Sequence, residues 1–210
     1  MAKPKRVESV FLNIPYDPGF EDLYLAYIVG LSQLGLQIKV TLAIPNQGRL
    51  DAIIRLIETS DFSIHDLSRV ELSKGMPRFN MPLELGLALY HSKKSKKPHG
   101  VYIFDEKPYQ AQRSTSDING IDPQIHRGKP KDLMIGLRNV FRQGGDVTTV
   151  PEMLASYRAL KGKLTDIRKS AGNGSLFGAA VFQDIVVAAL IEAQLRVKRR
   201  QELATTANGN

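Results

Sequence analysis

The sequence predicts an α/β protein with a parallel sheet of four to five strands, helices on both faces of the sheet and further helices at the C-terminus. Two observations support this fold class. Short apolar segments alternate with amphipathic segments along the first half of the chain, which is the order typical of parallel sheets. The amphipathic segments repeat their apolar residues at spacings of three and four, as one face of an α-helix does.

Four segments have the length and composition of strands, and the first ends at Asn13 before a loop that contains two prolines. The predicted strands are 7–13, 36–44, 62–65 and 100–104. No fifth strand is evident after Phe104, where 105–130 has the composition of one long loop. Loops of that length usually cover a site or are mobile.

The helical segments include two that follow the sheet, and the last of these is apolar around most of its N-terminal half. Such a helix must be buried against its own domain or against a partner. The predicted helices are 20–35, 49–59, one that begins near Met81, 131–143, 151–169 and 175–200. We therefore expect a flavodoxin-like domain over 1–145, a helical extension over 150–200 and a disordered tail over 201–210.

Composition limits the kinds of chemistry and the compartment. The 210 residues include no cysteine, which excludes disulfides, thiolate zinc sites and a cysteine nucleophile. No signal peptide and no apolar run of membrane-spanning length is present, so a cytoplasmic protein without membrane contact is expected. No metal-ligand motif is found, and neither a metal nor a cofactor is expected.

The net charge of +8 is concentrated in three basic clusters, at 1–6, 93–97 and 196–200. Such clusters can attract nucleic acid. However, no nucleic-acid-binding motif accompanies them and aromatic residues are not interleaved, so solvated loops and helix ends are the favoured interpretation.

Polar side chains gather within 60–86, where a strand, a polar loop and the start of a helix follow one another. Asp66 and Ser68 stand at the end of the strand, and Asn80 and Glu84 stand at the start of the helix. Parallel sheets bind ligands outside the carboxyl ends of their strands. The sequence therefore predicts a functional site at that edge.

The segment SDFSIHDLS, followed by RFNMPLELGLAL, resembles the nucleoside deoxyribosyltransferase-like and TIR-like nucleotide-binding superfamily. The matching positions are Asp61 and Asp66 around the strand, then Asn80 and 84–86 at the helix start. The opening VFLNIPYDP is similar to the first strand and loop of these families. The chain also resembles a bacterial protein family that shares these segments and SDINGIDPQIH, a resemblance that implies no particular activity.

The superfamily resemblance implies that Glu84 is the catalytic group in cleavage or transfer at an N-glycosidic bond. A carboxylate below the anomeric carbon can stabilise an oxocarbenium ion or attack it covalently. Asp66 is the candidate for a second catalytic carboxylate. The alternative to a catalytic role is that Glu84 is a first-turn acid that interacts favourably with the helix dipole, and that Asp66 is a helix or loop cap.

Polar residues near the two catalytic candidates have the chemistry to bind such a substrate. Ser68 and Asn80 would bind sugar hydroxyls, Tyr16 would stack on a base, and Arg78 would bind a phosphate. The predicted substrate-binding residues are Asn13, Tyr16, Asp17, Ser68, Arg78 and Asn80.

Three functions stay open at this stage. The first is a hydrolase or transferase acting on a nucleotide or nucleoside, with NAD among its substrates, and the resemblance implies an effector role in antiviral defence. The second is a non-catalytic nucleotide sensor that signals through its C-terminal helices. The third is an assembly module in which 176–193 forms a homo-oligomer or binds a partner protein.

Overall fold

The computed structural model describes residues 6–42, 48–69, 79–109, 121–141 and 148–207, with side chains to residue 202. Within these ranges five parallel strands form one sheet in the order β2-β1-β3-β4-β5. This is the flavodoxin-like strand order. The predicted fold class is confirmed, including helices on both faces and at the C-terminus.

The central strands are β1 and β3, which pair with each other and are almost completely buried. Because all five strands are parallel, their carboxyl ends lie at one edge of the sheet, which we call the carboxyl edge. The strands are β1 (Ser9–Asn13), β2 (Gln37–Lys39), β3 (Phe62–Asp66), β4 (Gly100–Asp105) and β5 (Gln124–Ile125).

Six helices lie within the same ranges, and a 3-10 turn (Pro18–Phe20) precedes the first of them. They begin close to the predicted positions, since the apolar spacing that predicted them also determines which face they bury. The helices are α1 (Glu21–Gln33), α2 (Arg49–Glu58), α3 (Asn80–Lys94), α4 (Pro130–Val140), α5 (Val150–Ser170) and α6 (Ala179–Ala207).

Alternation along β1 divides the core into two layers. Leu12 belongs to the large cluster formed with α1, α4, α5 and α6, whereas Phe11 packs against Ile53, Ile57 and Ala88 of α2 and α3. Successive side chains of a strand point to opposite faces. The face that Phe11 occupies is therefore also the face of Asn13.

The C-terminal helices share the core of the sheet. Met153 and Leu160 of α5 and Ile185 of α6 are fully buried in the same cluster as Leu12. Residues 201–207, predicted as part of a disordered tail, continue α6. Gln201 and Glu202 are good helix formers, and Lys198 lies 4.0 Å from Glu202 at the favourable i,i+4 spacing.

Two strands differ from their predicted extents. β2 has three residues within the predicted 36–44, of which 43–44 lie outside the described residues, because as an edge strand it pairs only with Ser9, Val10 and Phe11 of β1. β5 has two residues and lies inside the segment predicted as a loop. A two-residue strand is too short to give a periodic pattern.

None of the helices in the described part of the chain has the length and hydrophobicity needed to cross a membrane.

Candidate functional site

The candidate site lies at the carboxyl edge, where β1 ends at Asn13 and β3 ends at Asp66. The helix α3 begins there with Asn80 and returns along the sheet. Glu84 is one turn ahead of Ala88, the residue that packs against Phe11. Because residues four apart share a helix face, Glu84 lies on the Asn13 side of the sheet and nearer to the carboxyl edge than Ala88.

Glu84 is a buried acid with unusual surroundings. Its residue surface is 8% exposed, and it has no hydrogen-bond or ion-pair partner among the described residues. Burial raises the pKa of its carboxyl to about 7, and the charge of Arg49 opposes this shift. An acid that is buried without a partner, at the edge where parallel sheets bind ligands, is a functional-site candidate.

The structure also bears on the alternative that Glu84 serves the helix dipole. α3 begins at Asn80, so Glu84 is its fifth residue and no acidic residue stands in the first turn. The interaction with the dipole falls off within that turn. A capping or dipole role therefore does not account for this buried acid.

Arg49 is a cation of the site, and sequence analysis did not identify it. It is the first residue of α2, and its guanidinium donates to the hydroxyl of Thr41 at 3.1 Å. Thr41 is buried at 5% exposure in the segment after β2. This is the one hydrogen bond that the guanidinium makes with the described residues, and an arginine has five N–H donors, so Arg49 has donors to offer an anion.

Tyr16 connects the site to the C-terminal region. Burial raises the pKa of its hydroxyl well above the usual range, with Thr41 opposing the shift and the charge of Glu84 adding to it. The ring contacts the rings of Tyr24 and Phe177, with centroids 6.2 and 6.0 Å away. The predicted stacking of a base would therefore use the part of the ring that these two neighbours leave uncovered.

Asn13 and His65 form a buried pair across β1 and β3. The amide of Asn13 donates to Nδ1 of His65 at 3.1 Å, and Nε2 of His65 has no hydrogen-bond partner among the described residues. Burial, with a contribution from His99, lowers the pKa of His65 to about 3. A neutral imidazole that accepts at Nδ1 carries its proton on Nε2. The predicted ligand Asn13 thus has a protein partner, and His65 is packed in the sheet.

Asp66 belongs to a different environment from Glu84. Its Oδ1 accepts from the Ser68 amide at 3.0 Å and from the Ser68 hydroxyl at 2.5 Å. Its Oδ2 accepts from the Tyr27 hydroxyl at 2.7 Å and contacts Nε2 of His126 at 3.1 Å. The carboxylate is completely buried and its acceptor sites are filled. This geometry is that of a residue that holds the fold together.

Ser68, His126 and Asp66 do not form a nucleophilic triad. The Gly128 amide donates to Nδ1 of His126 at 3.0 Å, so Nδ1 has a lone pair and the proton is on Nε2. Nε2, which lies 2.9 Å from the Ser68 hydroxyl, is therefore the donor to Ser68 and Asp66. A histidine that donates to the serine cannot remove its proton.

The remaining predicted residues lie around these groups. Asp17 is half-buried, 3.9 Å from Arg69, which also binds Glu106 at 2.9 Å. Asn80 is exposed, one helical turn before Glu84. Arg78 lies outside the described residues.

Two groups of predicted residues result. Asn13 and Glu84 lie on the α2 and α3 side of the carboxyl edge, together with Arg49. The ring of Tyr16 packs against the cluster on the α1 and α6 side, and the charges of Glu84 and Arg49 act on its hydroxyl. Asp66 and Ser68 lie in the network with Tyr27 of α1 and with His126. The signal that could have identified Arg49 is its place at the start of α2, since a helix that follows a parallel strand begins near the carboxyl edge.

We predict that stability depends on pH through Glu84. Its carboxyl pKa is about 7 in the folded protein, against 4.5 for an unperturbed glutamate, so it favours folding fully below pH 4.5 and loses that contribution as pH rises through 7. Glu84→Gln should therefore stabilise the protein above pH 7, by up to about 3 kcal/mol. The difference should disappear near pH 4.5. Urea denaturation of both proteins from about pH 4.5 to 8.5 measures it, and a difference that is constant with pH would contradict the assignment.

Models of known protein families, compared with this chain, give no match. A comparison with curated proteins also gives none. The function is therefore inferred from the chemistry of the site itself.

Proposed function

We propose that the protein cleaves or transfers at the N-glycosidic bond of a nucleotide or nucleoside, with NAD among the candidate substrates. The observation that supports this most is Glu84, a buried acid without a partner among the described residues, whose pKa is raised to about 7. The resemblance of its surroundings to the deoxyribosyltransferase-like and TIR-like superfamily supports the same reaction and an effector role in antiviral defence.

In the proposed mechanism the ionised Glu84 acts on the sugar. As the bond to the base breaks, positive charge develops at the anomeric carbon, and a carboxylate beneath it stabilises that charge or forms a covalent intermediate. The bonding electron pair leaves with the base. Water or an acceptor then bonds to the anomeric carbon and gives up a proton to the departed base or to solvent, and Glu84 is released as the carboxylate. With a pKa of about 7, roughly half of Glu84 is ionised at neutral pH, and the ionised fraction grows as the pH rises. The carboxylate also needs no rearrangement of protein hydrogen bonds before it acts, since it makes none with the described residues.

Arg49 is proposed to bind a phosphate of the substrate, which favours a nucleotide over a nucleoside. Its guanidinium is held at the carboxyl edge by Thr41 and acts electrostatically on both Glu84 and Tyr16. A guanidinium offers the planar, bidentate geometry that phosphate oxygens accept. In this arrangement the phosphate lies toward α2 and the sugar lies toward Glu84.

We expect Arg49→Ala to weaken binding of nucleoside monophosphates at least tenfold and to leave nucleoside binding nearly unchanged, because a charge-assisted hydrogen bond is worth about 1.5–3 kcal/mol. The loss of a nearby positive charge should also move the pH midpoint of activity upward. Calorimetry with matched nucleoside and nucleotide pairs measures the first effect, and a pH profile measures the second. Arg55→Ala, at an exposed position of the same helix, is the control. Equal weakening of both ligand classes would contradict the phosphate role.

A nucleotide sensor is the second candidate, because of the contact between Tyr16 and Phe177. Phe177 also contacts Tyr24 at 5.1 Å between centroids and stands two residues before the start of α6. A ligand that displaces Tyr16 would move a residue at the start of that helix. Chromatography of a nucleotide panel after incubation separates the two candidates, since only the enzyme releases a free base and the sensor returns each ligand intact.

A further inference from the structure

The outer face of α6 exposes a row of large apolar side chains. They lie within eleven residues of one helix, and each is at least 41% exposed. The residues are Val187, Leu190, Ile191, Leu195 and Val197. Apolar side chains grouped in this way mark interaction surfaces more often than single exposed ones do.

The opposite face of α6 is already buried. Ile185 and Ala189 lie in the large core cluster at 0% and 1% exposure. Val187, Ile191 and Leu195 follow one another at steps of four, so they form one continuous ridge on the other side. The core of this chain therefore cannot cover that ridge while Ile185 stays buried.

We propose that this ridge packs against the same ridge of a second copy of the chain, with the two α6 helices antiparallel and a two-fold axis at Ile191. In such a pair, a residue that precedes Ile191 in one copy faces the residue that follows Ile191 by the same number of positions in the other copy. Val187 of one copy, four residues before Ile191, then meets Leu195 of the other copy, four residues after it. Ile191 meets its own copy at the centre.

The charges at the two ends of the ridge determine the orientation. Asp184 and Lys198 stand seven residues before and after Ile191, and both are exposed. Asp184 has no ion-pair partner among the described residues. Lys198 lies 4.0 Å from Glu202, which is the upper limit of an ion-pair distance. Antiparallel pairing places Asp184 of each copy opposite Lys198 of the other, about 10 Å from the axis. Parallel pairing would place like charges together.

This interface is independent of the proposed reaction at Glu84. It also separates the basic clusters of the two copies, because 196–200 lies at opposite ends of an antiparallel pair. Complementary charge at both ends and apolar contact at the centre are the usual arrangement of a self-associating helix.

Sedimentation equilibrium of the full chain tests the pairing. We expect a dimer for the wild type and a monomer for Ile191→Lys, which would place two like charges on the axis. Tyr90→Lys, at a side chain 65% exposed on α3, should remain dimeric. Far-ultraviolet circular dichroism verifies that each variant is folded. A wild type that is monomeric at about 100 µM, or an Ile191→Lys variant that is as dimeric as the wild type, would overturn the proposal.

Charge exchange tests the orientation. Asp184→Lys and Lys198→Asp should each raise the dissociation constant about tenfold, because each alters two symmetry-related pairs. The double variant Asp184→Lys, Lys198→Asp should return it to within about threefold of the wild type, since the attraction is restored in reverse. A double variant as weak as the single ones would exclude the antiparallel register.

Covalent trapping tests the position of the axis. The chain has no cysteine, so a disulfide in a single-cysteine variant can join only the same position of two copies. Ile191→Cys should form a cross-linked dimer under oxidation, whereas Val187→Cys should not, because the two copies of that residue are about 12 Å apart along the helices. Cross-linking of Val187→Cys without Ile191→Cys would place the axis elsewhere and overturn the proposal.

Discussion

Replacing Glu84 with glutamine is expected to lower the rate of base release at least a thousandfold and to leave ligand binding within about threefold of the wild type. The substitution preserves shape and removes the charge that stabilises the developing oxocarbenium ion. Glu84 makes no hydrogen bond with the described residues that the amide would disturb. Single-turnover chromatography measures the rate, and calorimetry measures the binding.

Asp51→Asn is the matched control, because Asp51 is an exposed acid near the start of α2 and the exchange alters the same chemical group. It should keep the wild-type rate. A Glu84→Gln variant that retains more than a tenth of the wild-type rate would contradict the catalytic role. Loss of both binding and turnover would instead identify Glu84 as a ligand-binding residue.

Asp66→Ala is expected to lower the free energy of unfolding by about 3 kcal/mol or more. The substitution leaves the Tyr27 and Ser68 hydroxyls buried without their acceptor, and it removes one of the two acceptors of Nε2 of His126. Urea denaturation at neutral pH measures the loss. Asp166→Ala, at an exposed carboxylate of α5, is the control and should change the stability by less than about 0.5 kcal/mol.

The same experiment separates the two roles considered for Asp66. A structural carboxylate loses stability first, and any loss of turnover follows the loss of folded protein. An Asp66→Ala variant with wild-type stability and no turnover would support the second catalytic role predicted from the sequence. Completely filled acceptor sites and 0% exposure favour the structural role.

The alternation of strands and helices was predictable because it depends on local periodicity. The positions of β1, β3 and β4 followed from the same pattern. β5 was missed because two residues, Gln124 and Ile125, give no alternation. They become a strand only by pairing with Phe104 and Asp105, twenty residues earlier in the chain.

The environment of the site residues was less predictable, since it depends on contacts distant in sequence. The partners of Asp66 include Tyr27, 39 residues before it, and His126, 60 residues after it. No local pattern distinguishes such a buried carboxylate from one that faces a ligand. Arg49 was missed because its segment was interpreted through its apolar spacing alone, although its first residue lies at the carboxyl edge.

The most direct test of the proposed activity is chromatography of NAD, nucleosides and nucleoside monophosphates after incubation with the wild-type chain at high protein concentration. We expect a free base to appear from at least one phosphate-bearing substrate, at a rate that rises as pH increases through about 7 and Glu84 ionises. The absence of base release from every member of the panel, with binding of a nucleotide detected by thermal shift, would contradict the enzymatic proposal and support the sensor.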